Sequence, residues 1–246
     1  MSIARTYVYG FRAVTEAIRS GREIEKCLIR RGLRGELYGE LFTLIRERNI
    51  PFQFVPEEKI NRITRRNHQG VLAFLSEIEY QRLDQIIPGL YESGKVPFLI
   101  ALDEVSDVRN FGAIARTAEC GGVHAIVIPQ KGSAMITPEA VKTSAGALCR
   151  IPVCRVPSMP MALDFLRKSG LQLTGTSGTA NRDYRDTDYT SPTCIIMGPE
   201  EQGLNPTLLK MMDVVVRIPV VGQIESLNVS VAAGVMIYEV LRQRSA

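Results

Sequence analysis

The sequence predicts an α/β fold, a parallel sheet with helices on both faces preceded by a smaller α/β unit. Short β-rich apolar runs alternate with helical segments from residue 98 onward, which is the pattern of a sheet buried on both sides. A shorter alternation of the same kind fills the first 78 residues and ends before a Pro88-Gly89 break. Charge divides at the same place. Of 30 Lys and Arg and 26 Asp and Glu, the first 78 residues hold 14 and 9, a net of +5, and the remainder 16 and 17, a net of −1.

In order along the chain, Val8-Tyr9-Gly10 leads into a helix over Phe11–Ser20, where Phe11, Val14, Ala17 and Ile18 recur at helical spacing and Gly21 stops the run. Lys26–Arg30 reads as a strand, and Glu36–Arg48 as a helix through Leu37, Leu41, Leu44 and Ile45. Phe52–Val55 is a strand, Pro56–Ile63 a helix and Val71–Leu75 a closing strand. The expected division is 1–78 for this unit, 79–96 for a connector with a helical piece around Leu83–Tyr91, and 97–246 for the second unit. There the strands are Phe98–Leu102, Ala125–Pro129, Val153–Val156, Leu171–Thr174, Thr193–Met197 and Val214–Ile218. Helices are expected near 111–121, 138–147, 159–168, 205–212 and 228–243. The last is the clearest, with an apolar stripe through Val229, Ala232, Ala233, Met236, Ile237, Val240 and Leu241. Asn228 is its expected N-cap, and Arg242 and Arg244 lie where the helix dipole favours cations.

Composition narrows the function classes. At 45% apolar and 23% charged residues, the chain reads as an ordinary globular protein. No apolar run approaches the roughly 18 residues of a membrane span, nor is there a signal-peptide core, so the cytoplasm is expected. Five cysteines, at 27, 120, 149, 154 and 194, form no CxxC pair and read as reduced thiols. Two histidines without ligand spacing give no metal site. Arginine clusters at Arg30, Arg31 and Arg34, and at Arg62, Arg65 and Arg66, suit a polyphosphate backbone, although a solvated face also explains them.

Three segments carry chemistry. In Asn110–Glu119, Asn110 can cap a helix, Gly112 permits close approach, and Arg116 offers a planar fork near a strand end where ligands bind parallel sheets. Taken alone, the segment is equally a capped helix with an Arg116–Glu119 surface pair. Gly198-Pro199-Glu200-Glu201-Gln202-Gly203-Leu204 is a glycine turn after a strand, without the Lys-Ser/Thr of a P-loop or a GxGxxG dinucleotide fingerprint. Ile218-Pro219, Gly222 and Glu225-Ser226-Leu227-Asn228-Val229-Ser230 then deliver small polar side chains to a helix N-terminus.

Together these motifs resemble the SpoU (TrmH-like) branch of the SPOUT RNA methyltransferases. The resemblance implies a trefoil-knotted parallel-sheet domain, a homodimer and S-adenosylmethionine as cofactor. It implies cofactor contacts at Thr176, Ser177, Gly178, Met197, Gly198, Gly203, Ile218, Val220, Leu227 and Ser230. It assigns the active site to Arg116, Asn110, Glu200, Ser226 and Asn228. Lys142–Ala147 resembles a further family segment with a structural role. Pro199 and Phe111 depart from the family's more frequent residues without touching the polar set.

The N-terminal unit, through Val8–Ile18 and Asn67–Val71, is similar to the L30e/L7Ae-like substrate-binding domain of RlmB-type members. Its expected RNA contacts are Arg65, Arg66, His68 and Arg12. The implied activity is methylation of an RNA ribose 2′-hydroxyl, with a guanosine of 23S ribosomal RNA as the foremost substrate. Two alternatives are a non-catalytic L30e-type ribosome-assembly protein and the same chemistry on tRNA.

Overall fold

A computed structural model describes residues 6–199 and 203–245. The chain separates into two units, Met1–Glu79 with Ile136–Pro138, and Tyr80–Met135 with Glu139–Ala246.

The first unit is a 4-stranded sheet of order β1-β4-β2-β3, from β1 (Tyr7–Tyr9), β2 (Ile24–Arg30), β3 (Phe52–Val55) and β4 (Val71–Leu75). β4 runs antiparallel to β1 and β2, while β2 and β3 are parallel and joined through a helix, as a parallel crossover requires. α1 (Phe11–Arg19) and α2 (Glu36–Glu47) bury Val14, Ile18, Leu41 and Ile45 with Cys27, Ile29, Val71 and Ala73 of the sheet. Arg19 and Glu40 tie the two helices at 2.6 Å. α3 (Glu57–Asn61) is a short helix that buries Ile60.

The second unit is a 7-stranded sheet of order β7-β6-β5-β10-β8-β11-β9, every pair parallel. Its strands are β5 (Phe98–Leu102), β6 (Ala125–Pro129), β7 (Val153–Val156), β8 (Gln172–Thr176), β9 (Arg182–Asp183), β10 (Thr193–Met197) and β11 (Val214–Arg217). β5, β6 and β10 are buried at every residue, because helices cover both faces. One face holds α4 (Leu83–Glu92) and α7 (Met159–Lys168), with Leu83, Ile87, Leu163 and Leu166 packed on Leu99, Val127 and Ile196. α5 (Val108–Cys120) packs against α9 (Val229–Arg244) so closely that a Cβ on Gly121 would overlap the Ile237 side chain. At the amino end of the sheet, Arg244 donates to the carbonyls of Tyr189, Val96, Pro97 and Ser191 at 2.7–3.2 Å.

Several expectations are corrected. The 79–96 stretch is not a connector, because α4 runs through Pro88 and its buried Leu83 and Ile87 belong to the second unit's core. The helix expected over 138–147 stops as α6 (Pro138–Thr143), since Ala145 and Gly146 adopt positive φ of 51° and 84°. The helix expected over 205–212 shortens to α8 (Pro206–Leu209), with Asn205 capping it. The two-residue β9 is too short to leave a periodic signal.

Candidate active site

The carboxyl ends of β8, β10 and β11 and the loop entering α9 enclose one cavity. β8 contributes Thr176, with Ser177 and Gly178 just beyond it, and β10 contributes Met197 and Gly198. Ile218 and Val220 follow β11, and Ser226 and Leu227 precede α9. Ligands of open parallel sheets bind at this edge, where strand order reverses and loops diverge. Here β10 lies between β5 and β8, so loops distant in sequence meet there.

The loop after β10 is shaped by its glycines. At Gly198 the backbone touches its own loop, and a Cβ would overlap the carbonyl of Gly203 and the Leu204 nitrogen. Gly203 takes a φ of 64°, and its N–H donates to the Pro199 carbonyl at 2.9 Å. On the other wall, Ser177 N–H donates to Val216 O at 2.9 Å, anchoring the β8 loop to β11. The lining suits a flat ligand with polar edges. Ile218, Val220, Leu227 and Val229 give apolar faces, while Thr176, Ser177, Ser226 and backbone groups give hydrogen-bonding edges.

A pair of asparagines joins this cavity to α5. Asn228 caps α9, its Oδ1 accepting from Ser230 N–H at 2.9 Å and from the Ser230 hydroxyl at 2.5 Å. Its Nδ2 donates to Asn110 Oδ1 at 3.0 Å, across 118 residues of sequence. Asn110 does not cap its own helix. Asp107 does, accepting from the N–H groups of Arg109 and Asn110. A carboxylate three residues earlier takes the role and leaves Asn110 in the first turn.

Nine of the ten expected cofactor positions line the cavity, and so does Ser226 of the expected catalytic set. Ser230 lies just beyond this lining, its hydroxyl donating to the Oδ1 of the Asn228 cap. Arg116 is exposed on α5, about 9 Å along the helix axis from Asn110. It forms no ion pair among the described residues, so the alternative Arg116–Glu119 surface pair is absent. Glu200 lies outside the described residues. Pro199, Glu225, Val229 and Ala232 also line the cavity, beyond the expected set. The α9 pair was legible only as an i, i+3 apolar spacing, the same signal that core packing gives.

In the first unit His68 is corrected from an RNA contact to a buried structural residue. Its Nδ1 accepts from Gly70 N–H at 2.9 Å, which fixes Nε2 as the protonated nitrogen, donating to Asn61 Oδ1 at 2.8 Å. No face of the ring remains for a base. Arg12, Arg65 and Arg66 are exposed.

The SpoU rRNA methylase family model matches residues 97–238. The chain belongs to this family of RNA methyltransferases. A second model, RNA 2′-O ribose methyltransferase substrate binding, matches residues 7–81. Among SpoU-family relatives, a Bacillus subtilis (strain 168) protein assigned to the TrmH family of tRNA/rRNA methyltransferases is 34% identical over 100% of this chain and 98% of its own length. The AdoMet-bound rRNA methyltransferase from Sinorhizobium meliloti superposes with a TM-score of 0.62 at 28% identity, covering 97% of this chain and 87% of its own. The SpoU methyltransferase AviRb from Streptomyces viridochromogenes, in complex with AdoMet, gives 0.62 at 27% identity, covering 98% and 91%. The A. aeolicus TrmH/SpoU tRNA modifying enzyme gives 0.57 at 29% identity, covering 66% of this chain and 84% of its own.

Proposed function

We propose that this chain transfers a methyl group from S-adenosylmethionine to a ribose 2′-hydroxyl of RNA, with a guanosine of 23S ribosomal RNA as the target. The observation that carries the reading is the cavity at the carboxyl ends of β8, β10 and β11, tied to α5 by the Asn228–Asn110 hydrogen bond. Its apolar faces and small polar edges fit an adenosine-bearing ligand, and AdoMet occupies two structural neighbours. The cofactor supplies an electrophilic methyl on a sulfonium, so the protein's work is orientation and help with the hydroxyl proton.

In this reading Asn228 and Asn110 fix the two helix starts against each other, and Ser226 orients the hydroxyl. Arg116 acts on the RNA phosphate beside the reacting ribose, because a guanidinium does not give up its proton. Glu200 steadies Arg116 or the substrate. The trefoil knot and the homodimer are part of the proposal. Val231 and Tyr238, exposed on α9, support a partner surface there. Ribosomal RNA is favoured over tRNA by the first unit, which matches a substrate-binding model, whereas the tRNA modifying neighbour covers only 66% of this chain.

The test is transfer of labelled methyl to purified ribosomal RNA and tRNA, followed by mapping of ribose methylation. Label in neither RNA overturns the activity, and label in tRNA alone overturns the target. Arg116→Ala is expected to lower turnover by about 100-fold or more while cofactor affinity stays within a few-fold. Loss of cofactor binding with normal turnover per bound complex reverses the assigned role.

A further inference from the structure

Strand register brings the two arginine clusters of the first unit to one end of its sheet. Tyr9, the last residue of β1, pairs with Leu72 near the start of antiparallel β4. On the other side of β4, Val71 pairs with Ile29 near the end of β2, and Arg30 pairs with Val55 at the end of β3. The chain therefore leaves β1, β2 and β3, and enters β4, at the same edge. Arg12 sits there in the first turn of α1. Arg31 and Arg34 lie in the loop after β2, and Arg65 and Arg66 in the loop before β4.

The loops also touch. Arg30 N–H donates to Gly70 O at 2.8 Å, and a Cβ on Gly70 would come within 3.2 Å of Leu33 Cδ1. Arg31 N–H donates to Val55 O at 3.0 Å. His68 pins the Arg65–Gly70 loop from beneath through Asn61 and the Gly70 N–H, and Arg66 donates to the Tyr9 hydroxyl at 3.3 Å. Carboxylates occupy Arg19 and Arg30, through Glu40 and Glu57. Arg12, Arg31, Arg34 and Arg65 have no carboxylate partner among the described residues and stand exposed. Such unpaired guanidinium groups on adjoining, backbone-anchored loops match a run of phosphates.

We propose that the loop at residues 31–35 is a second grip on the RNA backbone, acting beside Arg12, Arg65 and Arg66 through Arg31 and Arg34. The proposal rests on RNA being the substrate and names where the first unit holds it. Affinity of the full chain for an RNA hairpin with single-stranded flanks, measured at several salt concentrations, tests it. Changing both Arg31 and Arg34 to Ala is expected to reduce the slope of log affinity against log salt by about 1.4–1.8. The loss of affinity between about 50 and 200 mM salt then shrinks by about 7–12-fold relative to the unaltered chain. Arg46 and Arg48, exposed around the end of α2 at the opposite sheet edge, give a control with the same charge removed. Their double Ala variant is expected to keep the original slope. Equal slopes for both variants, or an unchanged slope for Arg31→Ala with Arg34→Ala, overturn the proposal. Methyl transfer by the unaltered chain is assayed on the same preparation. An active chain with an unchanged slope removes only the grip, while a reduced slope without methyl transfer removes the proposed activity and leaves the RNA surface standing.

Discussion

Asn228→Ala removes at least three hydrogen bonds at one position, among them two into its side-chain oxygen from Ser230 and one from its amide to Asn110. Loss of an Asn N-cap costs about 1 kcal/mol, and the broken half-buried bond to Asn110 about 1 kcal/mol more. For a unit of this size each kcal/mol moves the melting midpoint by about 2–4 °C, so a fall of about 4–8 °C is expected. Asn228→Asp separates the two contributions. It keeps an acceptor for the Ser230 N–H, with a charge favoured at a helix start, but turns a carboxylate toward Asn110 Oδ1. Its midpoint is expected to lie between those of Asn228→Ala and the unaltered chain. Thermal unfolding followed by circular dichroism and by calorimetry reads both. If Asn228→Asp melts as low as Asn228→Ala, the cap contributes nothing; if Asn228→Ala melts like the unaltered chain, the asparagine pair does not hold the cavity loop to α5.

Stability is also expected to fall with pH on account of His124. Its Nδ1 accepts from the Phe98 N–H at 3.0 Å, and burial, then Lys95 and Arg244, hold the imidazole below its ordinary value. The unfolded chain thus binds the proton more readily. Stability from this residue is full above about 6.5 and is lost as pH drops toward the lowered folded value. Melting midpoints measured across that window are expected to fall less in His124→Asn, and identical pH profiles refute the assignment. The cysteines divide by exposure. Cys120 and Cys149 are exposed, whereas burial pushes the Cys27 and Cys154 thiols up to about 12 and raises Cys194 as well. Brief alkylation of the native chain, read by mass spectrometry, is expected to mark the first two alone. Native labelling of Cys27 or Cys194 at the rate of Cys120 counts against the packing described.

Local patterns carried much of the fold. The apolar stripe of α9 and its Asn228 cap needed only a few consecutive residues, and both stand as read. α5 began three residues earlier than its apolar spacing suggested, because Asp107 competes for the same cap. The connector misread at 79–96 has a similar cause. Pro-Gly suggests a break, but Leu83 and Ile87 gain enough from burial on the sheet to keep the helix through it.

What the sequence determined by itself was element type, the division into two α/β units and the glycine and asparagine motifs, all properties of residues within one or two turns of each other. Only the tertiary structure decided that β10 enters between β5 and β8, that Asn110 meets Asn228, and that His68 turns inward. Those outcomes depend on partners 7 and 118 residues away, and on strand order. Residue type alone does not reveal whether a polar side chain serves a ligand or its own fold. That is settled by which donors and acceptors packing brings within hydrogen-bonding distance, since a buried polar group is costly to leave unpaired.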